Sequence, residues 1–166
     1  MEILVCTKQV PDDSVEIRLD EASGKPATEG VEPIVNAFDT YALEMAAQFL
    51  ETGIEGEITV AAVGDEESKN GIKNCLAVGA SHGYVISDPS FEGSDAAGTG
   101  YILMQGAKKI EAELGKKFDI IFCGQETSDY STGQTGPQLA EELGCPLVTD
   151  VIALEQKGEG LSVKQE

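Results

Sequence analysis

The sequence holds a single histidine, His82, and no C-x-x-C spacing among its four cysteines, Cys6, Cys75, Cys123 and Cys145. Structural zinc and iron-sulfur clusters need grouped thiolates or imidazoles, so neither is expected. A Cys-His or Ser-His catalytic pair would have to use His82. That residue lies in GASHGY, directly before an apolar run, and reads as a turn histidine rather than a base. The cysteines read as core or pocket-wall thiols in a reducing compartment.

Positive charge is also scarce. Eleven basic residues stand against 30 acidic ones, a net charge of -19, which repels nucleic acid and anionic membrane surfaces. The acidity serves solubility or a basic partner surface, and charge alone does not separate these two. The longest apolar runs, such as Ile58 to Val63, are too short to span a bilayer, and Met1 leads into a strand-like segment with no basic leader. The expectation is a chain with no membrane insertion, cytoplasmic or, in a eukaryote, in the mitochondrial matrix.

Generic signatures are missing as well: the sequence contains no Walker A lysine pattern, no G-x-G-x-x-G and no G-x-S-x-G. What it does contain is a regular alternation of apolar runs and helical periods. At 166 residues and 41% hydrophobic content, the chain suits one domain over residues 1–166. Ile3 to Thr7, Glu57 to Val63, Tyr84 to Ser87 and Asp119 to Cys123 read as buried strands. Val148 to Leu154 reads as the start of a fifth, and a turn at Lys157 to Gly160 returns the chain as Leu161 to Lys164.

Between the strands lie helical periods. Asn36 to Gly53 carries Phe38, Tyr41, Ala42, Met45, Ala46, Phe49 and Leu50 at i, i+3, i+4 spacing, with Asn36 or Asp39 as the cap. Glu66 to Val78, Ser94 to Leu114 (with Tyr101, Ile102, Gln105, Ile110 and Leu114 as its face) and Pro137 to Leu143 read as further helices. Val15, Ile17 and Leu19 alternate with charged residues ahead of Ser23, Gly24 and Lys25, which predicts a small β-hairpin excursion. The fold class is α/β: an open, mostly parallel sheet with helices on both faces.

In such a sheet, ligands bind beyond the carboxyl ends of the strands where the strand order reverses. Three segments are expected to meet there: Cys6 to Val10, Val63 to Asp65, and Cys123 to Gly136, CGQETSDYSTGQTG. The last runs from a strand through small polar residues into a helix N-terminus, where free N–H groups and the helix dipole can hold a phosphate. By itself this loop is an ordinary βα connection rich in turn residues. The convergence raises it to a candidate nucleotide site.

Three stretches carry a resemblance: VCTKQVPDD (Val5 to Asp13), EGVEPIVNAFDTYALEMA (Glu29 to Ala46) and CGQETSDYSTGQTGPQLAEELG (Cys123 to Gly144) followed by Pro146. Together with GAS before the third strand and the closing LSVKQE, they make the sequence similar to the β subunit of electron transfer flavoprotein over essentially its whole length. The resemblance implies an α/β sandwich related to adenine-nucleotide-binding (adenine nucleotide α-hydrolase-like) proteins. It also implies a heterodimer with an α subunit that carries FAD, passing electrons from flavin dehydrogenases to an acceptor without autonomous catalysis. The β subunit would hold AMP or, in electron-bifurcating members, a second FAD that meets NADH. Gly136 followed by Pro137 is more similar to the flavin-holding members.

Carried over by position, the resemblance puts Cys6 and Val63 at the adenine, and Asn36, Ala37, Phe38 and Asp39 at the helix-starting contact. Thr127, Asp129, Ser131, Thr132, Gly133, Gln134, Thr135, Gly136, Pro137 and Gln138 fall in the loop around ribose and phosphate, with backbone N–H groups from Ser131 to Gly136 and the hydroxyls of Ser131 and Thr135 as phosphate donors. The sequence departs from the family pattern in three ways. The loop is one residue longer between Gln125 and Gln134, Tyr130 replaces a small or acidic residue, and Ala37 stands where proline is usual. Family members also continue well past this length, so the chain is expected to be an N-terminal portion lacking the segment that recognises dehydrogenases and grips the α subunit.

A universal-stress-type ATP or AMP module shares the layering and is the competing reading. Gly133 and Gly136 supply its G-x-x-G, but Pro146 and Leu147 occupy positions where it needs glycine and a hydroxyl. An adenylating or ATP-hydrolysing relative would need S-G-G-x-D-S or H-I-G-H, and neither occurs.

Overall fold

A computed structural model describes residues 1–166. Its centre is β1 (Glu2–Thr7), whose residues from Ile3 onward are all buried, as befits a strand covered on both faces. Parallel to it lie β6 (Glu57–Val63), β7 (His82–Ile86) and β8 (Ile120–Cys123), in the order β7-β6-β1-β8. The chain therefore builds outward from β1 to one side, then crosses back to place β8 on the other. The reversal of strand order falls between β1 and β8, where Cys6 pairs with Cys123 across the ladder and with Ala61 on its other side.

Alternate residues of each strand feed two cores. Ile3, Val5, Ile58, Val60 and Ala62 pack under α1 (Ala37–Glu51) and α2 (Ser68–Ala77). Leu4, Cys6 and Ala61 pack on the opposite face with Leu103, Met104, Ala107 and Ile110 of α3 (Ala96–Leu114) and Leu139 of α4 (Thr135–Leu143). The period-2 alternation of a strand thus supplies both layers from one segment. No helix is long and apolar enough to cross a membrane.

The helices start and stop where local chemistry dictates. Asp95 caps α3 by accepting the Gly98 N–H at 2.8 Å, and Gly115 closes it at φ 67°. Gly100 of α3 has no room for a side chain: a Cβ there would stand 2.8 Å from Cβ of Gln138, so α3 and α4 meet backbone to backbone. The buried stripe of α1 is Asp39, Ala42, Leu43, Ala46 and Phe49, and Gly53 follows its end at φ 99°. Tyr41 and Tyr101, expected on buried faces, point outward instead, because the stripes run through their smaller neighbours.

Small antiparallel pairs decorate this sheet. The expected excursion is present as β3 (Arg18–Asp20) against β4 (Lys25–Ala27), shorter than the Val15 to Leu19 alternation suggested. A second pair, β2 (Gln9–Pro11) with β5 (Pro33–Val35), ties the excursion's two ends together and had no clear signal in sequence. The segment expected as a fifth strand begins later, as β9 (Val151–Lys157), and pairs only with β10 (Gly160–Gln165). Its partner lies a two-residue turn away, with Gly158 at φ 62°, and that local pairing is made without closing a long loop.

Candidate functional site

Lys8 follows β1, Gly124 follows β8, and both stand at the first turn of α1. The Lys8 N–H donates to Asp39 Oδ2 at 2.8 Å. Gly124 approaches so closely that a Cβ on it would stand 2.2 Å from Asp39 Oδ1 and 2.9 Å from the Asp39 nitrogen. One carboxylate therefore sits across the gap between the ends of β1 and β8. Asp39 is buried, and burial pushes its carboxyl up to about 6 despite the opposing pull of the Lys8 N–H, the Asn36 side chain and the Gly124 N–H.

Asn36 precedes α1 with cap-like backbone angles, yet its side chain makes no cap hydrogen bond. It reaches instead to the loop after β8. Nδ2 donates to the Glu126 carbonyl at 2.8 Å, and Oδ1 accepts the Ser128 N–H at 3.3 Å. The side chain is completely buried. Capping, the safer expectation from sequence, thus yields to a tether across 90 residues of chain.

A second tether comes from Lys8. Its ammonium lies 2.5 Å from Asp129 Oδ2 and 4.8 Å from the centroid of the Tyr130 ring. Within the loop, Ser131 has φ 49° and donates its N–H and its hydroxyl to the Thr127 carbonyl at 2.8 and 3.2 Å. Ser131 therefore spends both donors on the turn itself. The next five N–H groups, from Thr132 to Gly136, enter no turn, loop or cap hydrogen bond, and the start of a helix offers them no i-4 partner. Gly133 is left-handed at φ 62° and Gln134 right-handed at φ -102°, the alternation that turns successive N–H groups into an anion-binding concavity.

The residues singled out in sequence map onto this rim as follows. Cys6 is buried beside Cys123 and faces α3 and α4, while Val63 ends β6 opposite Ile86 at the same end of the sheet. Gly136 abuts β8, since a Cβ there would lie 3.3 Å from Cβ of Cys123. Ala37, Phe38 and Asp39 form the first turn of α1, Phe38 standing edge-on to Tyr41 at 6.3 Å. Thr135, Gly136 and Pro137 open α4, where a missing proline N–H costs nothing. Gln138 stands apart, backed against Gly100 of α3. Lys8, Gly124 and Glu126 were not singled out as site residues, and only their neighbourhood in the two carboxyl-end segments pointed to them.

The buried thiol at this rim is not activated as a nucleophile. The Cys123 thiol, burial and the Asp39 carboxylate all push the Cys6 thiol well above its ordinary range, which keeps it neutral. Of the other cysteines Cys75 is core, Cys123 half-buried, and Cys145 exposed rather than in a core or pocket wall. His82 begins β7 at the opposite rim, 3.6 Å from Glu57. No cluster of histidine, cysteine and carboxylate side chains could hold a metal. A hollow of about 490 Å3 lined by Met1, Ile54, Asp119, Ile120, Gln156 and Leu161 also lies at that amino-terminal rim, away from the site.

Residues 25–166 match the model of the electron transfer flavoprotein domain. The chain is 41% identical to the electron transfer flavoprotein subunit beta of Megasphaera elsdenii, covering 100% of this chain and 62% of that one. It is 38% identical to the caffeyl-CoA reductase-Etf complex subunit CarD of Acetobacterium woodii, with 95% and 58% covered. It is also 38% identical to protein FixA of Azorhizobium caulinodans, with 91% and 53% covered. The chain thus spans only 53% to 62% of these relatives' lengths. On fold, rim geometry and sequence together, the chain belongs to the electron transfer flavoprotein domain family, in its β-subunit and FixA branch.

Proposed function

We infer that this chain is the nucleotide-holding part of an electron transfer flavoprotein β subunit, and that the protein passes electrons from dehydrogenases to an acceptor together with an FAD-carrying α subunit. The observation that carries the reading is the run of unpartnered N–H groups from Thr132 to Gly136, set at the reversal of strand order between β1 and β8. An adenine nucleotide, AMP or FAD, fits this donor set. Backbone groups of Thr132 to Gly136 and the Thr135 hydroxyl would hold its phosphate. The ends of β1 and β6 at Cys6 and Val63 and the start of α1, Ala37 to Asp39, would hold its adenosine.

A flavin, when bound, supplies the redox chemistry. This chain supplies position, a closed rim and charge. Asn36 and Asp39 act on the loop and the strand ends, so that the phosphate donors are held in place before the ligand arrives. The name of the CarD relative, a subunit of a reductase-Etf complex, supports an assembly with other subunits.

The test is the absorbance spectrum and nucleotide content of the protein expressed with its α partner. One flavin and one AMP are expected for the simple shuttle, and two flavins with reduction by NADH for bifurcation. A colourless protein that binds ATP without any partner would overturn the reading in favour of a universal-stress-type module.

A further inference from the structure

A phosphate arriving at this rim meets an acidic protein, and neutral N–H groups alone would have to offset a chain of net charge -19. Among the segments that form the rim, Cys6 to Val10, Asn36 to Asp39, Val63 to Asp65 and Cys123 to Gln138, Lys8 is the one cation, set among the carboxylates of Asp39, Asp65, Glu126 and Asp129. Its backbone is anchored by Asp39, and its ammonium is parked on Asp129 with the Tyr130 ring beside it. Asp129 belongs to the loop that three residues later presents the free N–H groups. The pair is partly exposed, with side-chain exposures of 40% for Lys8 and 21% for Asp129, and such pairs are weakly held against a competing anion.

Resting on the nucleotide reading above, we propose that Lys8 reads the phosphate charge of the adenine nucleotide. Its ammonium passes from Asp129 to the phosphate on binding. Asp129 is then an internal competitor that holds the loop shut in the free protein and sets a threshold of negative charge that a ligand must exceed. Adenosine, which lacks the phosphate, leaves the Lys8 and Asp129 pair intact. A plain latch predicts otherwise, because cutting either end of a latch has the same effect on every ligand.

Titration calorimetry with adenosine, AMP and ADP on the wild-type protein, K8Q and D129N separates the two. Lys8→Gln is expected to weaken AMP and ADP about tenfold, the scale of one charge-assisted contact, and to change adenosine less than about twofold. Asp129→Asn is expected to tighten AMP severalfold, opposite in sign, because the competitor is removed while Lys8 remains. Lys8→Arg should restore AMP binding. Parallel shifts for adenosine and AMP in both variants, or no shift in K8Q, overturn the proposal while wild-type binding stands. A wild-type protein that binds none of the three overturns the nucleotide reading, and the proposal with it. Should K8Q fail to fold, D129N alone decides by the sign of its effect on AMP.

Discussion

The Asp39 carboxylate accepts the backbone N–H of Lys8 at 2.8 Å, joining the first turn of α1 to the chain just beyond β1. With Gly124 pressed against the same carboxylate, a single buried acid braces the point at which the sheet changes direction. The loop that follows β8 hangs from this brace by Asn36 and Lys8.

The brace should be visible in the pH dependence of stability. Asp39 sits at about 6 in the fold against an ordinary value of 3.8. The folded state therefore binds its proton more tightly. The stability this group contributes is complete below 3.8 and is lost as pH rises through about 6. Urea melts between roughly pH 4.5 and 7.5 should show wild type losing about 2 kcal/mol relative to Asp39→Asn as the pH rises. A constant difference would mean that Asp39 does not titrate in this window.

Gly124→Ala would place a methyl 2.2 Å from Asp39 Oδ1 and 2.9 Å from the carbonyl carbon of Phe38. Backbone cannot give way as a flexible side chain does, so α1 must shift off β8. A loss of about 2 to 3 kcal/mol in urea unfolding is expected. Gly133→Ala is the control in the same loop. Its Cβ meets only the Gln125 carbonyl, at 3.3 Å, and the cost should be the smaller one of a left-handed alanine, about 1 kcal/mol.

Asn36→Ala strands the Glu126 carbonyl and the Ser128 N–H together, and about 2 kcal/mol is expected to be lost. Asn36→Asp keeps an acceptor for Ser128 but sets a carboxylate oxygen against the Glu126 carbonyl, so it should fare no better. Hydrogen exchange is the sharper readout: protection should fall at Ser128 and Ser131 in both variants while the amides of β6 keep theirs. Uniform loss across the sheet would instead assign Asn36 a general packing role.

Asp150 holds a left-handed φ of 55° and accepts from the Gln125 side chain at 2.9 Å, linking the β9 and β10 hairpin to the loop. Asp150→Gly keeps the backbone and loses only an exposed bond, which should cost under about 0.5 kcal/mol. Asp150→Val forces a branched side chain into that conformation and should cost about 1 to 2 kcal/mol more. Equal losses in the two variants would show that the bond, not the backbone angle, is what matters.

Much of this could be read from residues in order. The β1 and β6 runs were legible because a strand covered on both faces is a nearly continuous apolar run rather than an alternating one, and α1 because its apolar residues repeat at helical spacing. The loop from Cys123 to Gly136 stood out through its small polar residues and the helix after it. Its tethers were not legible. Asn36 and Glu126 are 90 residues apart, and Lys8 and Asp129 are 121 apart, and no local preference encodes such a partner. Asn36 looked like a cap because capping is the local use of asparagine, and tertiary packing offered its buried amide a better use.

From residue order alone came the alternation of strand and helix, the two-faced burial of the central strand and the rim on which the loop had to lie, since parallel strands joined by helices put all their carboxyl ends together. Only the folded chain decided that β9, already expected to turn back on the strand after it, would not also widen the main sheet. It also decided that tyrosines of α1 and α3 would face solvent, and that Lys8, Asn36 and Asp39 would brace the loop. Periodicity is a property of neighbours along the chain, whereas a buried carboxylate or amide finds its partners only when distant segments have been brought to one place.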